Sequence, residues 1–236
     1  MLGASIIIPA LNEERYIRQT LESVRKQKTS LDYEVIVADN NSKDRTVEIA
    51  EKYADRVVVV KRRGTWISRN TGAKKSRGKV LVFVDADTVI PPNYLEVADA
   101  VLGEDEISGL SCAFGFDQKS RMLGAIEEMS NSYLLFRGMI GKGEILGFNN
   151  AVRRKTFFEA GGFPNKPMED GAFARKLWKK GRVIYLPEPK VVTSARRISK
   201  NGPLTAAVYY GNLALITDLP RLPKKLAIFK EYLSVR

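Results

Sequence analysis

The chain has 236 residues, 44% of them hydrophobic, with a single cysteine, no histidine and a formal net charge of +12. That is enough apolar material for one large domain with a sizeable core; it excludes intrinsic disorder and an internal disulfide, so a reduced cytosolic setting fits. Without histidine, the usual near-neutral proton carrier and the commonest transition-metal ligand are missing, which leaves proton transfer to carboxylates and any metal to oxygen ligands.

Met1-Leu2-Gly3-Ala4 leads straight into Ser5-Ile6-Ile7-Ile8-Pro9, read as a first strand, so no export leader is expected. No run reaches about 18 uninterrupted apolar residues, so any membrane contact is expected to be peripheral. Asn12-Glu13-Glu14 opens a predicted helix in which Ile17, Leu21 and Val24 recur at helical spacing, with the acids complementing its dipole. A second strand over 33–38 ends on Asp39-Asn40-Asn41-Ser42-Lys43-Asp44, a loop of turn and cap residues before a helix over 46–53. A third strand is predicted over 56–61, a helix over 65–75 and a fourth strand over 80–84.

That fourth strand, Val80-Leu81-Val82-Phe83-Val84, is apolar throughout, as a central strand of a buried parallel sheet must be. It stops on Asp85-Ala86-Asp87, and Pro91-Pro92 soon follow, which cannot continue a ladder. Ligands of open α/β sheets bind at the carboxyl ends of strands. Two acids there read either as a solvated turn or as oxygen ligands for a hard divalent cation, Mg or Mn, which often bridges a protein acid to a diphosphate. The β-α-β-α rhythm predicts half of a nucleotide-binding α/β domain. Neither the Gly-x-Gly-x-x-Gly fingerprint nor a Walker lysine loop is present, which disfavours ordinary dinucleotide and P-loop chemistry.

Beyond Asp87 the rhythm loosens. A helix over 93–102, a strand over 107–116 with Cys112 as core filling, a helix over 122–136 and a Gly-rich stretch over 138–147 lead to a short strand over 148–153. A short helix over 157–160 ends at Gly161-Gly162, and Phe163 to Asp170 form a loop delivering Glu169 and Asp170 to a helix through 177. A last strand over 191–193 precedes Ser194-Ala195-Arg196-Arg197. We read residues 1–103 as a nucleotide-binding half, 104–200 as an acceptor half and 201–236 as a basic extension.

Five segments in this order, Ile8-Pro9-Ala10-Leu11-Asn12-Glu13, Val37 to Asp44, Ser68-Arg69-Asn70-Thr71-Gly72, Asp85-Ala86-Asp87, and Gly161-Gly162-Phe163 with Glu169-Asp170, resemble the inverting family 2 glycosyltransferases, over about 5–197. The resemblance implies the GT-A fold, a Rossmann-like, mostly parallel α/β sheet flanked by helices, and a UDP- or GDP-sugar donor. By the same resemblance Pro9, Glu13 and Asp39 would hold the nucleoside, Arg69 the diphosphate, Asp85 the ribose or metal, and Asp87 the metal, Mg or Mn. Asp170 would be the general base, with Glu169 orienting it. Asn149 and Asn150 would bind sugar hydroxyls or make strand-end hydrogen bonds. Many family members carry an acid where Asn40 stands, and the Gln-x-x-Arg-Trp signature of processive synthases is missing after Asp170, which favours transfer of a single sugar.

With no histidine to complete a metal shell, Arg196 and Arg197 become candidates for neutralising the diphosphate. From Arg175 to Arg236 the chain carries 14 Lys and Arg against 3 Asp and Glu. Leu222, Leu226, Phe229 and Leu233 recur at helical spacing among basic residues, the pattern of a segment lying on an anionic membrane surface. Packing on the catalytic domain or a homodimer contact accounts for it equally. On the surface reading the acceptor is lipid-linked and the protein sits on the cytoplasmic face of a membrane. A hydroxyl acceptor needs a base, which Glu169-Asp170 supplies, whereas a polyprenyl phosphate needs none. Two rivals stand apart from sugar transfer. Val84 to Val89 resembles the nucleophile motif of haloacid-dehalogenase-type phosphatases, which place it on their first strand, and the pI of 9.7 suits a nucleic-acid or membrane-binding module, although no nucleic-acid recognition motif appears.

Overall fold

A computed structural model describes residues 2–166 and 168–201. Four strands come first, β1 (Ala4–Ala10), β2 (Tyr33–Asp39), β3 (Arg56–Val59) and β4 (Val80–Val84), separated by helices α1 (Ile17–Arg25), α2 (Thr46–Ala50) and α3 (Thr65–Lys75). They lie parallel in the order β3-β2-β1-β4, with Ala10 opposite Asp39 at the ends of β1 and β2. Ile6, Ile8, Val37, Val82 and Val84 join one buried cluster, and Ile7, Leu81 and Phe83 join another on the opposite face. Both faces are covered, which is why these strands read as unbroken apolar runs.

The rest of the chain supplies β5 (Thr88–Val89), α4 (Tyr94–Leu102), β6 (Ile107–Phe116), α5 (Arg121–Met139), β7 (Asn149–Arg153), α6 (Arg154–Glu159), α7 (Glu169–Leu177), β8 (Arg182–Thr193) and α8 (Arg196–Asn201). One eight-stranded sheet results, ordered β3-β2-β1-β4-β7-β6-β8-β5, in which β7 runs antiparallel to β4 and β6, while β8 is parallel to β6.

Three expectations need correction. Asn12, Glu13 and Glu14 do not open a helix, since α1 starts at Ile17 and has no acid in its first turn. Their polar groups reach the next loop instead. The Asn12 amide donates to Ser42 Oγ, Glu13 to Thr46 Oγ1 and Glu14 to Asp44 Oδ2, while Asn12 itself takes φ of 55°. The ladder does not end at Asp87, because Thr88 and Val89 pair with Thr193 and Val192 at the sheet edge, where Pro91 and Pro92 remove no needed donor. The last strand is 12 residues long rather than three; Pro187, Glu188, Pro189 and Lys190 hide it, and they fall where its register with β6 shifts. The basic amphipathic segment falls within residues 202–236, outside the described residues. Among the described residues no helix is long and apolar enough to cross a membrane.

Candidate active site

Parallel topology sets the carboxyl ends of β1, β2 and β4 side by side, and the acids follow directly. Asp39 ends β2 and is buried, its carboxylate accepting from both the amide and the hydroxyl of Ser42. Asn40 explains its own departure from the family pattern. Its amide nitrogen donates to the carbonyls of Val60 and Arg62 and its oxygen accepts from Gly64, so an acid there would forfeit two donor bonds. Pro9 lies buried inside β1 opposite Ala38.

Two charge clusters flank Asp85-Ala86-Asp87. In the first, Arg196 makes a bidentate pair with Glu13 at 2.7 and 2.6 Å and an ion pair with Asp87 at 2.8 Å, its guanidinium 4.6 Å from the Tyr16 ring centre. Burial opposes its charge, but Glu13 and Asp87 outweigh that and raise its pKa. A cavity of about 290 Å³ lined by Asn12, Glu14, Arg15, Tyr16, Asp44 and Arg196 adjoins it.

In the second cluster Arg69, 3% exposed, bonds Asp85 at 2.8 Å through Nη2 and Glu169 at 2.9 Å through Nη1, and its guanidinium lies 5.3 Å from the Phe163 ring centre. A guanidinium so enclosed is a strut between the end of β4 and the start of α7. Burial raises the pKa of Glu169, the Arg69 charge holds it down and Asp170 pushes it up. Asp170 accepts from the amides of Gly147 at 3.2 Å and Gly171 at 2.9 Å. The loop carrying these acids is held by Asn70, which bonds both the amide and the carbonyl of Phe163. The segments Arg69-Asn70 and Gly162-Phe163, far apart in sequence, are therefore one contact.

Asn149 and Asn150 are fully buried. Asn149 bonds the Cys112 backbone and the Tyr94 hydroxyl, and Asn150 donates to the Leu146 carbonyl, so neither is open to a sugar. Arg197 lies in α8, and its side chain is outside the described ones. Sequence reasoning missed a buried pair behind Asp170, Arg137 with Glu144 at 2.8 Å, the arginine also facing the Trp178 ring. Its one signal was an acid isolated in the Gly-rich stretch.

The donor set suits a hard cation. Glu13 and Asp87 both reach Nη2 of Arg196, so their oxygens already share one positive charge. Among the described residues no group of three His, Cys, Asp or Glu side chains forms a ready metal cage. Further ligands would be donor phosphates and water, as Mg customarily takes them.

The family model Glycosyl transferase family 2 matches residues 5–160. The chain belongs to that family. It is 27% identical over 241 residues to an uncharacterized glycosyltransferase of Haemophilus influenzae, covering 97% of this chain and 76% of that one. It is 28% identical over 169 residues to the putative glycosyltransferase EpsH of Bacillus subtilis, covering 67% and 48%. The poly(ribitol-phosphate) β-N-acetylglucosaminyltransferase TarS of Staphylococcus aureus is 33% identical over 111 residues, 44% of this chain and 19% of TarS. The chain thus spans about half or less of the length of EpsH and TarS. Among solved structures, the mannosyltransferase PcManGT of Pyrobaculum calidifontis, in complex with GDP-Man and Mn2+, superposes with a TM-score of 0.69 at 22% identity, covering 98% of this chain and 82% of that one. TarS 1–349 with UDP-GlcNAc gives 0.65 at 23%, covering 83% and 59%. The GT-A fold expected from the sequence is the fold observed.

Proposed function

We propose that the chain transfers one sugar from a UDP- or GDP-sugar to an acceptor hydroxyl with inversion at the anomeric carbon. The observation that carries this reading is the tie through Arg69, which fixes the acid at the end of β4 to the loop bearing Glu169 and Asp170. Asp85 and the acid preceding the candidate base are thereby held on one guanidinium. Two structural neighbours, PcManGT in complex with GDP-Man and Mn2+ and TarS in complex with UDP-GlcNAc, support the donor class.

In this reading Glu13, Asp39 and Asp85 hold the nucleoside, Asp87 would hold a Mg or Mn ion, and Asp170 takes the acceptor's proton as its oxygen attacks the anomeric carbon and the bond to diphosphate breaks. The Gly147 and Gly171 amides orient the Asp170 carboxylate. Glu169, neutralised by Arg69, stays fixed beside it. A cation held there would supply Lewis-acid neutralisation for the departing diphosphate.

A lipid-linked acceptor at a membrane surface is supported by α5. Met129 and Met139 are 74% exposed, Phe136 59% and Ile140 51%, a largely uncharged apolar face on a chain of net charge +12. A thermal-shift screen of UDP-, GDP- and dTDP-sugars with and without Mn tests the donor reading, since a ligand specific to the folded state raises its stability. No shift with any of them ends it.

A further inference from the structure

Two hydrogen bonds and an ion pair hold one guanidinium between two acids that come from distant parts of the chain. Arg196 Nη1 lies 2.7 Å from Glu13 Oε2, and Nη2 lies 2.6 Å from Glu13 Oε1 and 2.8 Å from Asp87 Oδ2. The backbone before it is anchored on its own account. The Ser194 amide donates to the Asp87 carbonyl, and the Ala195 amide donates to Asp117 Oδ1 at 2.8 Å. The arrangement is built, and its logic is electrostatic: two carboxylates this close, mostly removed from water, are costly without a positive charge between them.

A hard divalent cation answers the same demand with the same oxygen atoms. One pair of acids cannot give a full share to both. We infer that Arg196 is an internal stand-in for the metal: its guanidinium neutralises Glu13 and Asp87 in the donor-free protein, and a divalent cation entering with the donor diphosphate takes its place. This rests on the metal-dependent donor chemistry proposed above and adds two things to it. Glu13, expected from the family resemblance at the nucleoside, joins Asp87 at the cation. Metal binding also becomes conditional on nucleotide, because free metal must displace a guanidinium held by two hydrogen bonds and an ion pair, whereas a nucleoside diphosphate brings oxygen ligands and negative charge that tip the exchange.

The test reads metal binding without turnover. Free Mn is titrated by electron paramagnetic resonance against wild type, Arg196→Gln, Arg196→Lys and Asp87→Asn, each alone and with UDP or GDP. Wild type is expected to bind Mn weakly alone and at least tenfold tighter with the matching nucleotide. Arg196→Gln is expected to bind Mn about tenfold tighter than wild type without nucleotide, with the nucleotide-dependent gain reduced to match, and Asp87→Asn to bind poorly throughout. If Arg196→Gln misfolds by circular dichroism, Arg196→Lys serves, its single ammonium losing the fork and giving a several-fold gain. Unchanged or weaker Mn binding by the folded Arg196 variants, with wild type still binding Mn alongside nucleotide, overturns the inference and leaves the metal reading standing. Absence of Mn binding by wild type with either nucleotide overturns both.

Discussion

Gly147 and Arg69 are so close that a β-carbon on the glycine would sit 2.5 Å from Nη2 and 2.9 Å from Cζ of the guanidinium. The same guanidinium bonds Asp85 and Glu169, and the Gly147 amide bonds Asp170. Adding one methyl group therefore pushes on three carboxylates at once. Gly147→Ala is expected to keep the fold and lose on the order of 100-fold in kcat/KM, the cost of about 1 Å of misplacement in a catalytic constellation. Activity within twofold of wild type would show that the strut does not position the acids.

Removing the Arg69 charge should change the titration of Glu169. Burial raises the Glu169 carboxyl and Asp170 adds to this, while Arg69 opposes both. Arg69→Gln takes away the opposing charge, so Glu169 must titrate higher still. The Glu169 carboxyl, followed by NMR titration, should then lose its proton at higher pH than in wild type, and Arg69→Lys should restore part of the difference. An unmoved titration in a folded Arg69→Gln protein would contradict the coupling.

Glu144 predicts how stability depends on pH. Burial pushes its carboxyl up to about 7 even though Arg137 holds it down, and Asp170 raises it further. An acid raised on folding binds more protons in the native than in the unfolded state between its two pKa values. Its contribution is thus fully present below about 4.5 and is lost as pH rises to about 7. The loss is on the order of 3 kcal/mol, because each pH unit separating the folded and unfolded pKa values contributes about 1.4 kcal/mol. Glu144→Gln should flatten the fall of Tm across that window, as read by calorimetry at matched ionic strength.

Asn40→Asp tests what the amide at this position does. The acid can still accept from Gly64 but can no longer donate to the Val60 and Arg62 carbonyls. Each orphaned buried acceptor costs about 1–3 kcal/mol. A Tm lower by several degrees is expected, measured by thermal denaturation, and an unchanged Tm would mean the amide is not what anchors the loop before α3.

What the sequence made legible follows from the range of the interactions involved. The first four strands were plain because burial on both faces demands unbroken apolar runs, and Asp39, Asp85 and Asp87 were placed because they stand where those runs stop. The partner of each charge was not legible. Arg69 looked like one more cation on a basic helix, and only the fold carries Glu169, a hundred residues away, onto its guanidinium. Asn149 looked like a polar strand end, yet β7 inserts between β4 and β6 and closes it into the core beside Cys112, where burial lifts the thiol to about 12. β8 was hidden because its middle is polar and proline-bearing, tolerable where the register with β6 breaks.

The exposed face of α5 yields the last prediction. Met122, Met129 and Phe136 stand at seven-residue intervals along the helix, with Tyr133, Met139 and Ile140 also exposed. The helix packs on β6 and β8 through residues such as Leu123, Leu134 and Gly138, so this outer face has no role in the core. Its C-terminal end leads into the stretch whose Gly147 amide bonds Asp170. A surface that docks on lipid here would bring a lipid-linked acceptor towards the candidate base. Sedimentation with vesicles containing anionic phospholipid should recover the wild-type protein, and a Met129→Glu, Phe136→Glu double variant should lose at least tenfold in partitioning, because two charges must then enter the apolar boundary. Since both side chains are solvent-exposed, the variant should keep the wild-type Tm and its turnover of a water-soluble acceptor. Equal partitioning of the two proteins would move the membrane contact away from α5.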